Sequence, residues 1–277
     1  IIESRAKEPI VPLGLWRDRT YASSIIATFL VSIGFFGAAV FLPQWFQFVE
    51  GASPTFSGLY TLALLAGVII SSVGSGILVS KTGKYKPILM AGLAVMAVGL
   101  YLMSNLRADT ELPVLWSWMF VTGLGIGPTL GVFTIVVQNA VPVRSLGVAT
   151  SNLTFFRQIG GSVGLAALGT VFGTRLAQEI PVQIAAAGVP QQLVDQFAAQ
   201  SSGGGATDLI RVGVDLGATI LAGVPPQLQE AVQPIIPKIV FGIQQAFSLA
   251  IGQVFLIGMG SAVAALAREP DRDSVLT

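Results

Sequence analysis

The sequence contains no cysteine and no histidine. The first absence excludes a disulfide framework and any thiolate chemistry. The second removes the commonest general base, the commonest zinc ligand and the usual partner of a nucleophilic serine. Charge is scarce as well. Only 10% of the 277 residues are charged, against about 25% in soluble domains. A surface that poor in charge does not suit water, and 53% of the residues are hydrophobic. The composition is that of an all-α integral membrane protein. A net charge of +1 gives no case for nucleic acid.

What is present is a series of long charge-free runs. Residues 20–49, 51–80, 87–106, 112–140 and 239–267 contain no Asp, Glu, Lys or Arg. About 20 apolar residues cross a bilayer as a helix. The runs predict spans over residues 20–48, 55–80, 87–106, 112–140, 147–174 and 239–267. Residues 1–19 read as a linker reaching the membrane, with Trp16 and Tyr21 at headgroup level, and 268–277 as a tail. Residues 176–238 read as a long loop rich in Ala, Gln, Gly and Pro. It holds a flexible break at Gly203–Gly205 and short amphipathic pieces at Gln191–Gln200 and Gln227–Gln233. Leu209–Leu221 carries Arg211 and Asp215 and is not expected to cross the membrane. The opening Ile-Ile-Glu-Ser, without Met, suggests a piece of a longer chain.

Orientation follows from cations. Arg5, Lys7, Arg17, Arg19, Lys81, Lys84, Lys86, Arg144, Arg268 and Arg272 fall on one side of the alternating spans, and the opposite short turns hold only Arg107. Short cytoplasmic loops accumulate Lys and Arg. Both ends of the chain are therefore expected in the cytoplasm, and the loop 176–238 outside, in a multi-pass protein of the plasma membrane.

Four stretches carry finer information. Gly74 to Pro87 is a basic turn whose Gly74 and Gly76 are expected to let a neighbouring helix approach closely. Gly123, Gly127 and Gly131 repeat every four residues on one helix face. They suit close packing, and Pro128 removes a backbone hydrogen bond and is expected to kink the helix at Gly127-Pro128. Gly160-Gly-Ser162-Val-Gly164 fits a nucleophile-elbow pattern. Inside a membrane helix, with no histidine in the chain, it reads as glycine packing. Arg157 lies about ten residues past Gly147, roughly 15 Å along a helix. A charge that deep costs several kcal/mol unless it faces protein or water. Snorkelling, a structural hydrogen bond, a gating contact and a cavity-lining charge all remain open for it. No phosphate loop or metal-ligand cluster is present, so no catalytic group, metal or cofactor is expected.

The run Gly76-x-Leu78-x-Ser80-Lys81-x-Gly83-Lys84 resembles the conformational loop between the second and third helices of each half of major facilitator superfamily proteins, with Ser80 in place of the family's acidic residue. The stretch from Gln138 to Gly147 with Asn152-Leu-Thr-Phe155-Phe156-Arg157-Gln158-Ile-Gly160-Gly161 closely resembles the fourteen-helix drug:proton antiporters. The resemblance implies the six-helix C-terminal bundle of such a transporter. It implies proton-coupled efflux of amphipathic or lipophilic compounds by alternating access, with the coupling acids in an amino-terminal half. The first, second, fourth and fifth helices would line the cavity, which nominates Phe36, Gln44, Trp45, Phe133, Gln138, Asn152, Phe156 and Arg157. Two other readings stand beside it: a transporter of one metabolite, and a non-transporting six-helix sensor or assembly module.

Overall fold

The computed structural model describes residues 15–190, 217 and 233–268. The linker 1–14, the tail 269–277 and the pieces expected at 191–200, 203–205, 209–221 and 227–232 lie outside those residues, Gly217 apart. Seven α-helices are described: α1 (Arg19–Phe48), α2 (Pro54–Tyr60), α3 (Leu62–Thr82), α4 (Lys86–Met103), α5 (Leu112–Asn139), α6 (Leu146–Ala186) and α7 (Ile236–Leu266). A short break at Thr61 separates α2 from α3, which together form one span, so six helical units are long and apolar enough to cross a membrane.

Local chemistry sets the helix ends. The Asp18 carboxylate accepts from the Thr20 and Tyr21 amides at 2.8 and 3.0 Å and caps α1. Pro54, Pro87 and Pro113 sit in the first turns of α2, α4 and α5, where a missing N–H costs nothing. Gly83, at φ +67°, ends α3 in the left-handed conformation that a side chain would resist, and three residues later α4 begins.

The helices pack through glycine, because lipid offers no hydrophobic drive between spans and close van der Waals contact must supply the association. α5 is held between α3 and α4. On one side a methyl at Gly123 would stand 3.0 Å from the Val68 amide of α3, and one at Gly127 would stand 2.6 Å from the Ser72 amide. On the other side a methyl at Gly92 of α4 would reach 2.9 Å from Pro128, and one at Gly99 would reach 2.6 Å from the Thr122 Cα. α5 runs unbroken from Leu112 to Asn139 through Pro128. The glycine run of α6 does for α1 what the α5 glycines do for α3. Gly160 lies against Phe29, Gly161 against the Phe36 ring and Gly164 against Ile33. α7 closes the bundle against α1, α4 and α6.

Two expectations are corrected. Gly74 and Gly76 meet no neighbour within 4 Å. α3 packs on α5 through its other side, where Leu64, Gly67, Val68, Ser75 and Val79 are buried. Tyr21, near the start of α1, is fully buried. The Asn152 amide donates to its hydroxyl at 3.1 Å, and the Trp16 ring lies edge-on to it. Finally, α6 does not stop near residue 174 but continues to Ala186. Arg175 and Glu179 made that stretch look like loop, yet they pair at 3.8 Å along the helix. Leu176, Ile180 and Ile184 are buried, and a methyl at Gly242 of α7 would stand 2.9 Å from the Ile184 Cα.

Candidate functional site

Arg157 lies eleven residues into α6 and Thr28 nine residues into α1. At 1.5 Å per residue both stand roughly 15 Å from the end of the bundle that carries Arg19 and Arg144, about the middle of a 30 Å bilayer core. They face one small cavity of about 10 Å³ between α1, α5 and α6, bordered by Ser32, Phe35, Thr129 and Phe133 among others. That is room for about one water. Nη2 of Arg157 and Oγ1 of Thr28 are both buried there without a hydrogen-bond partner among the described residues. The other hydroxyls are committed to their own helices: Ser32 donates to the Thr28 carbonyl at 2.7 Å, and Thr129 to the Ile126 carbonyl at 2.6 Å.

An unpaired buried donor costs about 1–3 kcal/mol, and more when charged. The described acids are Asp18, Glu50, Asp109, Glu111 and Glu179, and none lies on a span at this depth. The site therefore presents two donors, one cationic, to an acceptor that the described residues do not supply. Outside the spans, partial burial at the end of α1 draws the Glu50 carboxyl above its ordinary range.

Of the residues nominated from sequence, Phe133 and Arg157 meet at this cavity. Phe156 is half-buried beside Trp16, with ring centroids 5.4 Å apart. Asn152 is buried and engaged with Tyr21. Trp45 is fully buried, its indole N–H donating to the Ser248 hydroxyl of α7 at 2.9 Å. Phe36 is half-buried against Gly161, and Gln44 and Gln138 are exposed. In the basic turn, Ser80, Lys81 and Lys84 are exposed. Ser80 donates to the Ile77 carbonyl at 2.8 Å. Thr28 was missed, although a signal existed. Ser24, Thr28 and Ser32 recur every four residues in a charge-free span, and all three are buried.

The outer side of α6 is uncovered. Ser151, Gln158, Ser162, Ala166, Thr170 and Thr174 form a small and polar stripe along it, exposed throughout, interrupted by the exposed Phe155 and flanked by the exposed Val163. Gly169 of the same helix has open space around it. A polar stripe is poorly suited to lipid tails.

Residues 3–165 match the family model for the Major Facilitator Superfamily. An uncharacterized MFS-type transporter of Mycobacterium tuberculosis is 40% identical over 190 residues, covering 68% of this chain and 28% of that protein. The multidrug transporter protein MdtP of Bacillus subtilis is 40% identical over 175 residues, covering 63% of this chain and 32% of MdtP. The tetracenomycin C resistance and export protein of Streptomyces glaucescens is 31% identical over 275 residues, covering 97% of this chain and 48% of that protein. The chain thus spans half or less of the length of these curated relatives. With a family match across more than half of its length, laid over the first four membrane-capable helices and part of the fifth, the chain belongs to the Major Facilitator Superfamily.

Proposed function

We propose that this chain is the carboxyl-terminal bundle of a proton-coupled exporter of amphipathic compounds, working by alternating access against a second bundle. The observation that carries the reading is the uncovered polar stripe of α6, running past the depth of the unpaired Arg157. A helix that is small and hydroxyl-bearing on its open side is suited to another helix or to a watered path, not to lipid. Alternating access between two bundles around a midplane site is how secondary transporters of inverted or parallel repeats work. Relatives named as a multidrug transporter and as a tetracenomycin C resistance and export protein support export as the direction and drug-like compounds as the cargo.

In this reading Arg157 and Thr28 offer hydrogen bonds to an acceptor on the substrate or on the facing bundle. Phe133 and Phe35 supply apolar contact beside them. Gln44, Gln138 and Phe156 line the path as the bundles rock, and Gly127-Pro128 lets α5 bend. No described acid titrates within the membrane, so the protons are carried by carboxylates of the facing bundle. The basic turn Lys81–Lys86 and both chain ends lie in the cytoplasm. The test is transport in proteoliposomes with an imposed proton gradient. The longest protein encoded with this chain is expected to extrude a cationic dye, and the chain alone is not. Proton-driven efflux by the chain alone would overturn the assignment of the coupling acids.

A further inference from the structure

α3 and α4 leave α5 on diverging sides and scarcely touch each other. Between them opens a groove of about 690 Å³, walled by Gly74 and Leu78 of α3 and by Ile88, Ala91 and Val95 of α4, with Pro128 of α5 as its floor. Its volume lies in the range of small-molecule sites. The wall is largely apolar: the Ser71 and Ser75 hydroxyls in it donate to carbonyls of their own helix, and Thr82 and Lys84 stand at the mouth at one end. Lys81 and Lys84 are exposed there, and the segment 51–106 contains no acidic residue. From Ser71 to Thr82 the groove follows α3 for eleven residues, roughly 16 Å, about one leaflet of the hydrocarbon core. The missing wall is the space around Gly74, where an added methyl would meet nothing within 4 Å.

A groove one leaflet long, apolar in its depth and cationic at the membrane surface, matches an amphiphile with one long chain beneath an anionic head. We propose that the cleft between α3 and α4 binds an anionic phospholipid, with one acyl chain along Gly74, Ala91 and Pro128 and its phosphate on Lys84 and Lys81. The site stands apart from the Arg157 cavity and depends only on the lysine turn lying at the bilayer surface. A neutral zwitterionic lipid would fill the same groove but carry no net charge to the lysines. The preference for the anion comes from the cations, and the residence of the chain comes from the groove.

The experiment is native mass spectrometry of the full 277-residue chain in detergent, titrated with phosphatidylglycerol or with phosphatidylcholine of the same acyl chains. The wild-type chain is expected to retain phosphatidylglycerol at least tenfold more tightly. Each surface lysine near an anionic lipid accounts for about a fivefold change in affinity, so Lys81→Gln with Lys84→Gln is expected to abolish the preference while leaving phosphatidylcholine binding as it was. Gly74→Leu plugs the groove from its open side and is expected to weaken both lipids together, with helicity by circular dichroism unchanged. Unaltered phosphatidylglycerol preference in the double lysine variant would overturn the headgroup assignment. Unaltered binding of both lipids in Gly74→Leu would overturn the groove.

Discussion

Gly123, Gly127 and Gly131 form one stripe at one spacing on α5, yet the structure gives them different burdens. An alanine methyl at Gly127 would stand 2.5 Å from the Val68 carbonyl oxygen and 2.6 Å from the Ser72 amide nitrogen. Carbon–oxygen contacts settle at about 3.3–3.6 Å, so α3 and α5 would have to part by about 1 Å. Neither of these atoms is a side chain that can rotate away, so turning the Ser71 hydroxyl, which the methyl also meets, would not relieve the contact. Overpacking of this kind costs about 1–3 kcal/mol, and the better helix propensity of alanine returns at most about 1 kcal/mol. Gly127→Ala is therefore expected to destabilise the bundle by about 1–2 kcal/mol. Gly123→Ala, which meets the Leu64 carbonyl and the Val68 amide, is expected to do the same. At Gly131 the nearest atom is the Ser72 hydroxyl at 3.3 Å, a side chain free to turn. Gly131→Ala is expected to be neutral or to stabilise by up to about 1 kcal/mol. The assay is reversible unfolding in mixed dodecylmaltoside and dodecyl sulfate micelles, followed by circular dichroism. Equal effects at positions 127 and 131, or a neutral Gly127→Ala, would refute the packing account.

Other outcomes follow from the same contacts. Arg157→Met removes a buried guanidinium nitrogen that has no partner among the described residues. It is expected to stabilise the chain in the same unfolding assay by about 1–3 kcal/mol, while dye export by the longer protein is lost, which separates a functional charge from a structural one. Ser248→Ala leaves the fully buried Trp45 indole without its acceptor. A cost of about 1–3 kcal/mol is expected, read by unfolding together with tryptophan emission. Glu50 has its carboxyl raised by burial, so the fold favours its protonated form. Stability is expected to fall slightly as pH rises through its folded pKa, and Glu50→Gln is expected to flatten that slope.

The sequence alone determined that this is a membrane protein and located the six membrane-capable helical units found among the described residues, because long apolar runs with at most one charge suit a bilayer. It also determined that a turn lies between the second and third spans, at the basic stretch where the structure ends α3 on the left-handed Gly83. The glycine faces of α5 and α6 were legible as faces, and the depth of Arg157 was legible from counting residues.

What sequence could not assign was the partner of each face. Periodicity says which residues share a side of a helix and nothing about what stands opposite. Gly127 and Gly74 read alike, yet one is pressed against a backbone and the other opens a groove. Trp45 and Asn152 read as lining an opening, whereas Ser248, 203 residues away, and Tyr21, 131 residues away, enclose them. The length of α6 was misjudged for a related reason. Arg175 and Glu179 signal a loop when read alone, but Ile180 and Ile184 gain their burial from α7, which lies far along the chain. Local chemistry fixed where helices turn and how deep they run. Contacts between distant segments, which only the folded bundle creates, decided which side chains are packed, which are satisfied, and which are left to meet something else.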